Sequence, residues 1–256
     1  MWVSVRPYSQ LAKSYDHLLG IPFFRGLRRS FEALVHHYQI NFTSAADIGC
    51  GTGIFARYLA RCWNVPVFGV DASREMLDAA RNRCCDPRVC WLLQDIRCLT
   101  LPKRVDLITA NFDTLNHLLR PSDLLRTFER IHESLCPDGW FFFDFVTPCQ
   151  PLGGRRQFVR CHCAGGGSVC QSVRWAPSPR LLHIRLMQSS PRLRYASVEH
   201  VLERAYSPIE IAIALSRSGF VCRGVHCPNS MRRASRCLPR LVVVAQRVPS
   251  QPVYRT

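Results

Sequence analysis

The stretch from Ala45 to Leu59 constrains this chain more than any other. It reads Ala45-Ala46-Asp47-Ile48-Gly49-Cys50-Gly51-Thr52-Gly53, followed by Ile54-Phe55-Ala56-Arg57-Tyr58-Leu59. Small and apolar residues leading into an acid predict a buried strand. Three glycines at alternate positions then permit a tight turn whose backbone can approach a ligand closely. The helix-forming run that follows leaves its first N–H groups unpaired and facing that turn. Strand, glycine turn and helix in this order suit a phosphate or nucleoside loop at the edge of an open parallel sheet.

The position of the acid narrows this reading. The dinucleotide fingerprint is Gly-x-Gly-x-x-Gly, whereas this chain has Asp-x-Gly-x-Gly-x-Gly, so a carboxylate stands before the glycines and suits a cationic group rather than a pyrophosphate. A second acid, Asp71, ends the next apolar run, Val65-Pro66-Val67-Phe68-Gly69-Val70. It lies close to the roughly 20-residue offset at which a doubly wound fold places a ribose-binding carboxylate.

On these residues the chain resembles the class I S-adenosylmethionine-dependent methyltransferases. The resemblance implies S-adenosyl-L-methionine as cofactor, its methionine end held by the loop of Asp47, Gly49, Gly51 and Gly53 and its ribose by Asp71. It further implies that Ala72 and Met76 flank the adenine and that Asp95, with Ile96 beside it, meets the adenine amino group. By composition alone Met76 suits a core position equally well. Ser73 is a plausible helix cap.

The next strands continue the pattern. Cys90-Trp91-Leu92-Leu93-Gln94 ends at Asp95, and Val105-Asp106-Leu107-Ile108-Thr109-Ala110 delivers Asn111-Phe112-Asp113-Thr114-Leu115-Asn116-His117 to the same sheet edge. Asn111 completes the cofactor corner there. The run around Asp113 resembles the Asp-Ser-x-Asn-Tyr element of a small-molecule subgroup that includes nucleotide-linked amino-sugar N-methyltransferases. Asp113 and Asn116 match it, implying substrate contacts. His117 stands where an aromatic is usual; it suits a base near neutral pH or a residue that orients the loop. Pro121 to Leu135 has helical apolar periodicity, Cys136-Pro137-Asp138-Gly139 stops it, and Trp140 to Phe145 is a fifth strand. Asp138 replaces one of the subgroup's two usual glycines.

From Val146 to about Tyr206 the helix and strand alternation gives way to short β stretches separated by Gly, Pro and Ser. The fold expected is α/β, a doubly wound Rossmann-like seven-stranded, mostly parallel sheet, with an antiparallel β lid inserted after the fifth strand. The expected division is a helical cover (1–44), a cofactor core (45–146), the lid (147–206), a closing helix and last two strands (207–248) and a tail (249–256). Within the lid, Glu199 to Tyr206 resembles a substrate strand of the subgroup. His200, Arg204 and Tyr206 alternate with period two and so share a side; facing the cofactor they form a substrate pocket with His200 as a second candidate base, and facing away they form a polar surface. The pocket is the reading adopted. Residues 8 to 40 are expected to be helical, broken at Gly20-Ile21-Pro22. Tyr15-Asp16 resembles a Tyr-Asp pair that covers the cofactor, which implies contact between Tyr15 and the methionine portion; the alternative is an amphipathic helix with its aromatic in the core.

Composition sets the remaining bounds. With 256 residues and 47% apolar content the chain can bury a substantial core. No apolar run approaches the ~18 residues that span a bilayer, and the first residues lack the pattern of a secretory signal; the expected location is the cytoplasm. Fourteen cysteines scattered through predicted helices and strands suit reduced, small apolar residues. Cys161-His162-Cys163 with Cys170 departs from paired zinc spacing, and no metal is expected. The net charge is +16. Residues 1–145 carry 17 Lys or Arg against 15 acids, and residues 146–256 carry 17 Arg against Glu199, Glu203 and Glu210. Such a field favours an anionic partner: nucleic acid, a phosphorylated or nucleotide-linked small molecule, or a carrier. With only Lys13 and Lys103 as lysines, codon usage is an alternative source of the arginines. The leading expectation is methyl transfer to nitrogen or oxygen of a small, anionic or nucleotide-linked acceptor. The rivals are an RNA or protein methyltransferase and a non-catalytic S-adenosylmethionine-binding protein.

Overall fold

The structure, a computed structural model, describes residues 2–13, 15–149, 157–162, 168–189, 196–228, 232–234 and 238–248. The main sheet starts from strand β2 (Ala45–Ile48), buried at all four positions. A β1 strand (Trp2–Val5) and helix α1 (Ile21–His37) precede it. After it come α2 (Ile54–Cys62), β3 (Val67–Asp71), α3 (Arg74–Arg83), β4 (Val89–Leu93), β5 (Val105–Ala110), α4 (Pro121–Ser134) and β6 (Leu135–Val146). The last part holds β7 (Gln157–His162), β8 (Ser168–Ala176), β9 (Leu181–Ser189), β10 (Ala196–Arg204), α5 (Pro208–Arg217), β11 (Phe220–His226) and β12 (Arg240–Arg247).

Seven strands form one sheet in the order β11-β12-β6-β5-β2-β3-β4. β12 runs antiparallel to both neighbours, and the β2–β3, β2–β5, β3–β4 and β5–β6 pairs are parallel. The chain winds outward from β2 to β4, then returns to place β5 on the other side of β2. That reversal opens a crevice at the C-terminal ends of β2 and β5. Burial on both faces explains the continuous apolar runs of these strands. In β6 the period of two divides the aromatics: Phe141, Phe143 and Phe145 pack with Phe128 and Ile131, while Phe142 packs with Phe31 and Leu59 on the opposite side.

The second sheet has the order β1-β10-β9-β8-β7. Its four later strands are successive antiparallel neighbours, and β1 adds parallel to β10. This first strand is a departure from the expected helical cover. The turn that follows it is held by Glu199 on β10, 2% exposed, which accepts hydrogen bonds from the backbone N–H groups of Tyr8 (2.6 Å), Gln10 (2.8 Å) and Leu11 (2.9 Å). Tyr8 takes a φ of 64° in that turn. Further along, the buried Asp16 accepts from Thr52 Oγ1 in the glycine loop and lies 3.6 Å from Arg57 and 3.4 Å from Arg83. The segment before α1 therefore straps the lid to the main sheet.

The expected break at Gly20–Pro22 is a change of helical pitch. Asp16–Gly20 is a turn of π-helix in which Ile21 N–H reaches Asp16 O, and α1 follows with Pro22 in its first turn, a position where a missing N–H leaves nothing unsatisfied. α5 opens on a capping box between Ser207 and Glu210. Among the described residues no helix is long and apolar enough to cross a membrane, and eleven cysteines are free thiols. The side chains of Cys161 and His162, Cys163 and the tail from Pro249 lie outside the described residues.

Glu199→Ala leaves three backbone donors without their acceptor. It is expected to lower stability by about 3 kcal/mol, read as a fall in thermal midpoint. Retention of the wild-type midpoint would show that the strap is not fastened this way.

Candidate active site

The crevice holds a cavity of about 1220 Å3 lined by Gly49, Cys50, Gly51, Asp71, Ala72 and Met76, among others. The glycine loop shapes its floor. Gly51 has φ 54°, and a Cβ built there meets only Met76 Sδ, at 4.0 Å; the open space before it is the cradle a bound group would fill. Its N–H donates to Asp71 Oδ2 at 2.7 Å, and Ser73 N–H donates to Oδ1 at 2.8 Å. Burial raises the Asp71 carboxyl, while these backbone donors favour its charged form. Ser73 Oγ caps α3 by accepting from Met76 N–H at 3.2 Å, which brings Met76 to the cavity wall. Asp95 and Ile96 line the same space, with Asp95 gripped by Arg97 at 2.5 Å.

Three residues expected at the cofactor lie behind the wall. Asp47 is 2% exposed and does not line the cavity. It accepts from Thr109 Oγ1 at 2.7 Å and Asn111 Nδ2 at 3.4 Å. Burial pushes its carboxyl up to about 7, against the pull of those hydrogen bonds. Asn111 is equally buried; its carbonyl, accepting from Thr114 Oγ1 at 2.7 Å, shapes the turn after β5. Gly53 is required for packing, since a Cβ there would stand 2.3 Å from Trp91 Cη2. Asp47, Asn111 and Gly53 build the loop from beneath.

Beyond the cavity, under the lid, is a second space of about 120 Å3 whose walls include Tyr8, Tyr15, Phe23, Phe112, Asp113 and Glu203. Tyr8, Tyr15 and Phe112 line both spaces and mark their junction. Phe112 and Asp113 have φ of 58° and 66°, an uncommon pair for residues with side chains. Arg240 on β12 holds that bend: its Nη2 donates to Asp113 Oδ2 at 2.8 Å, and its Nη1 contacts Asp113 and Asp144. Burial pulls the guanidinium down, but the two carboxylates outweigh it and keep Arg240 charged.

His117 lines the large cavity, with Nε2 3.0 Å from Tyr8 Oη and 4.0 Å from Glu203 Oε1. Burial lowers its basicity, opposed by the Asp113 charge and a hydrogen bond to the Leu202 backbone. With one ring N–H given to the backbone, Nε2 is left to accept the hydrogen bond that Tyr8 Oη donates. Burial first, then the neighbouring Asp113 charge, push Glu203 well above the usual carboxylate range.

Four expected substrate or catalytic residues are placed elsewhere. β10 turns Glu199, Val201 and Glu203 inward and leaves His200 exposed, so His200 stands on the outer face. Arg204 Nη2 is 3.2 Å from Glu210, bracing α5, and its guanidinium lies over the Tyr206 ring. Tyr206 is fully buried and donates to Leu118 O. Asn116, also fully buried, donates to the carbonyls of Val146 (3.1 Å) and Arg204 (2.7 Å) and accepts from Val146 N–H (2.9 Å). Arg204, Tyr206 and Asn116 join the lid to the core. Asp113 lines the lid pocket as expected of a substrate residue, but its carboxylate is held by Arg240. The sequence reading missed Tyr8, Phe112, Glu203 and Arg240; only Glu203 carried a local signal, by alternating with the chosen face.

A methyltransferase domain model matches residues 45–139. An uncharacterised methyltransferase of Mycobacterium tuberculosis strain H37Rv is 30% identical over 146 residues, covering 54% of this chain and 71% of that protein. The dTDP-3-amino-3,6-dideoxy-alpha-D-glucopyranose N,N-dimethyltransferase of Streptomyces fradiae is 32% identical over 143 residues, covering 54% of this chain and 52% of that protein. The match thus spans about half the length of that relative. An S-adenosylmethionine-dependent methyltransferase from Clostridium acetobutylicum has the same fold, with TM-score 0.77, 22% identity and coverage of 94% of this chain and 99% of that one. The chain belongs to the class I S-adenosylmethionine-dependent methyltransferase family.

The buried Asp47 gives a measurable pH dependence. Its folded value of about 7 lies above the ordinary 3.8, so the native state binds the extra proton between them and stability falls as pH rises through that window, by up to about 1.4 kcal/mol per unit. Asp47→Asn removes this slope. Thermal midpoints of the cofactor-free protein between pH 4.5 and 7.5, on the order of the window set by these values, are expected to decline less in the variant; identical slopes would contradict the assignment.

Proposed function

We propose that the protein transfers a methyl group from S-adenosyl-L-methionine to a small-molecule acceptor seated beneath the lid. One observation carries this: the glycine-loop cavity and the lid pocket meet at Tyr8, Tyr15 and Phe112, so a donor in the first and an acceptor in the second face each other there. Gly49, Gly51, Asp71, Ala72, Met76, Asp95 and Ile96 would hold the cofactor, which supplies a sulfonium methyl with a good leaving group. The donor set suits it: a carboxylate on backbone N–H groups for ribose hydroxyls, and an apolar thioether and aliphatic wall for a base.

Such a displacement needs alignment first, and deprotonation only where the acceptor requires it. The strap supplies alignment by setting Tyr8 and Tyr15 on the junction. Tyr8, bonded to His117 Nε2 at 3.0 Å, can pass a proton from a bound nucleophile to the imidazole, which burial keeps neutral and receptive.

Arg6, Arg74, Arg120 and Arg126 line the large cavity and have no carboxylate partner among the described residues. They favour an acceptor with an anionic portion, consistent with the nucleotide-linked substrate in the Streptomyces fradiae relative's name. An RNA acceptor is the second reading the basic charge permits; steep loss of affinity with salt would favour it.

Titration calorimetry with S-adenosylhomocysteine tests the cofactor half directly. Binding by the wild type is expected to weaken at least tenfold, on the order of one or two lost polar contacts, in Asp71→Ala, and to be lost in Gly51→Val, where φ 54° disfavours any side chain. Absence of binding to the wild-type protein would end the proposal.

A further inference from the structure

The lid pocket carries a combination of walls that one class of ligand explains. At about 120 Å3 it has the liquid volume of roughly four water molecules, enough for a compact substituted head group. Tyr8, Tyr15, Phe23 and Phe112 supply rings, with Phe23 and Phe112 6.1 Å apart at 72° to form a corner. Ring faces are electron-rich and attract cations. Arg240 illustrates this within the chain, its guanidinium 5.3 Å above the Phe23 ring.

The carboxyl groups sharpen the inference. Asp113 is paired with Arg240, which it shares with Asp144. Glu203, 5% exposed, lines the pocket without a hydrogen-bond partner among the described residues; His117 Nε2, at 4.0 Å, is its nearest ionic neighbour. A buried acid with no donor is unsatisfied until a ligand brings one or brings charge. An anionic ligand would be repelled by the ring faces and would disfavour ionisation of Glu203, whereas a cation favours its charged form; a neutral hydroxyl would leave the ring faces unused.

We propose that this pocket is a cage for an alkylated ammonium group. The acceptor is then an amine: once its proton has passed through Tyr8 to His117, the neutral nitrogen would take the methyl from the sulfonium donor, whose sulfur keeps the bonding pair and leaves as a neutral thioether. The ammonium so formed fits the cage better with each methyl group, which adds apolar contact without removing the positive charge. The use of the site in methyl transfer rests on the function proposed above; the cage itself does not.

The test titrates tetramethylammonium chloride into the protein at constant ionic strength, with and without S-adenosylhomocysteine, following perturbation of protein NMR signals. The neutral isostere tert-butanol and ammonium chloride serve as comparisons. Saturable binding of tetramethylammonium, roughly tenfold tighter than either comparison, is expected, with a similar weakening in Glu203→Gln and in Phe23→Leu. Phe23 is 46% exposed, so the second variant keeps the test decisive should the first not fold. Equal binding of tert-butanol, or no saturable tetramethylammonium binding, overturns the proposal. Loss of S-adenosylhomocysteine binding alone strikes only the methyltransferase reading, because the titration without it still decides the cage.

Discussion

Two buried carboxylates on either side of the strap determine whether this molecule has a closed site. Glu199 gathers three backbone N–H groups of residues 8–11 beneath the lid, and Asp16 fastens the following turn to Thr52, Arg57 and Arg83 on the main body. Between β1 and α1 the regular structure of the described residues is limited to single helical turns, so the path of the strap is set by these hydrogen bonds and ion pairs rather than by helix or strand propensity. Everything distinctive about the site follows from that path. Tyr8 and Tyr15 reach the junction of the two cavities only because the segment carrying them is held at both ends.

The same economy of charge recurs at the far side of the pocket. Arg240 faces Asp113 and Asp144, and its attraction to them offsets its own desolvation. Removing either partner type would strand a charge in a buried place, which is more costly than never having placed one there. By satisfying two of three neighbouring acids, Arg240 also leaves Glu203 as the carboxyl that the pocket presents. It fixes the Phe112–Asp113 bend as well, so charge pairing, backbone geometry and pocket chemistry meet in one guanidinium.

The glycine loop has a comparable division of labour. Gly49, Gly51 and Asp71 face the cavity, whereas Asp47, Gly53 and Asn111 hold the loop from below. A motif that looks like a single ligand-binding unit in one dimension is two layers in three. The lower layer has its own energetic signature, an acid desolvated enough to titrate near neutrality.

The sequence by itself determined the main sheet and most of one cavity wall. Its signals there are local: apolar runs, a glycine turn, Ser73 as a cap, and acids at strand ends, each acting within a few residues of its cause. It determined that residues 196–204 alternate between two faces, but not which face turned inward. The resemblance of Glu199–Tyr206 to a substrate strand placed His200 and Arg204 on the pocket side; Val201 packing under the lid and Glu199 binding the strap decided otherwise. Arg240 stands 127 residues from Asp113 and 96 from Asp144, and Tyr8 stands 109 from His117, separations at which no periodicity or spacing rule operates. Only the tertiary structure brought them together, because ion pairs and cavity walls depend on distances in space that the order of residues does not encode locally.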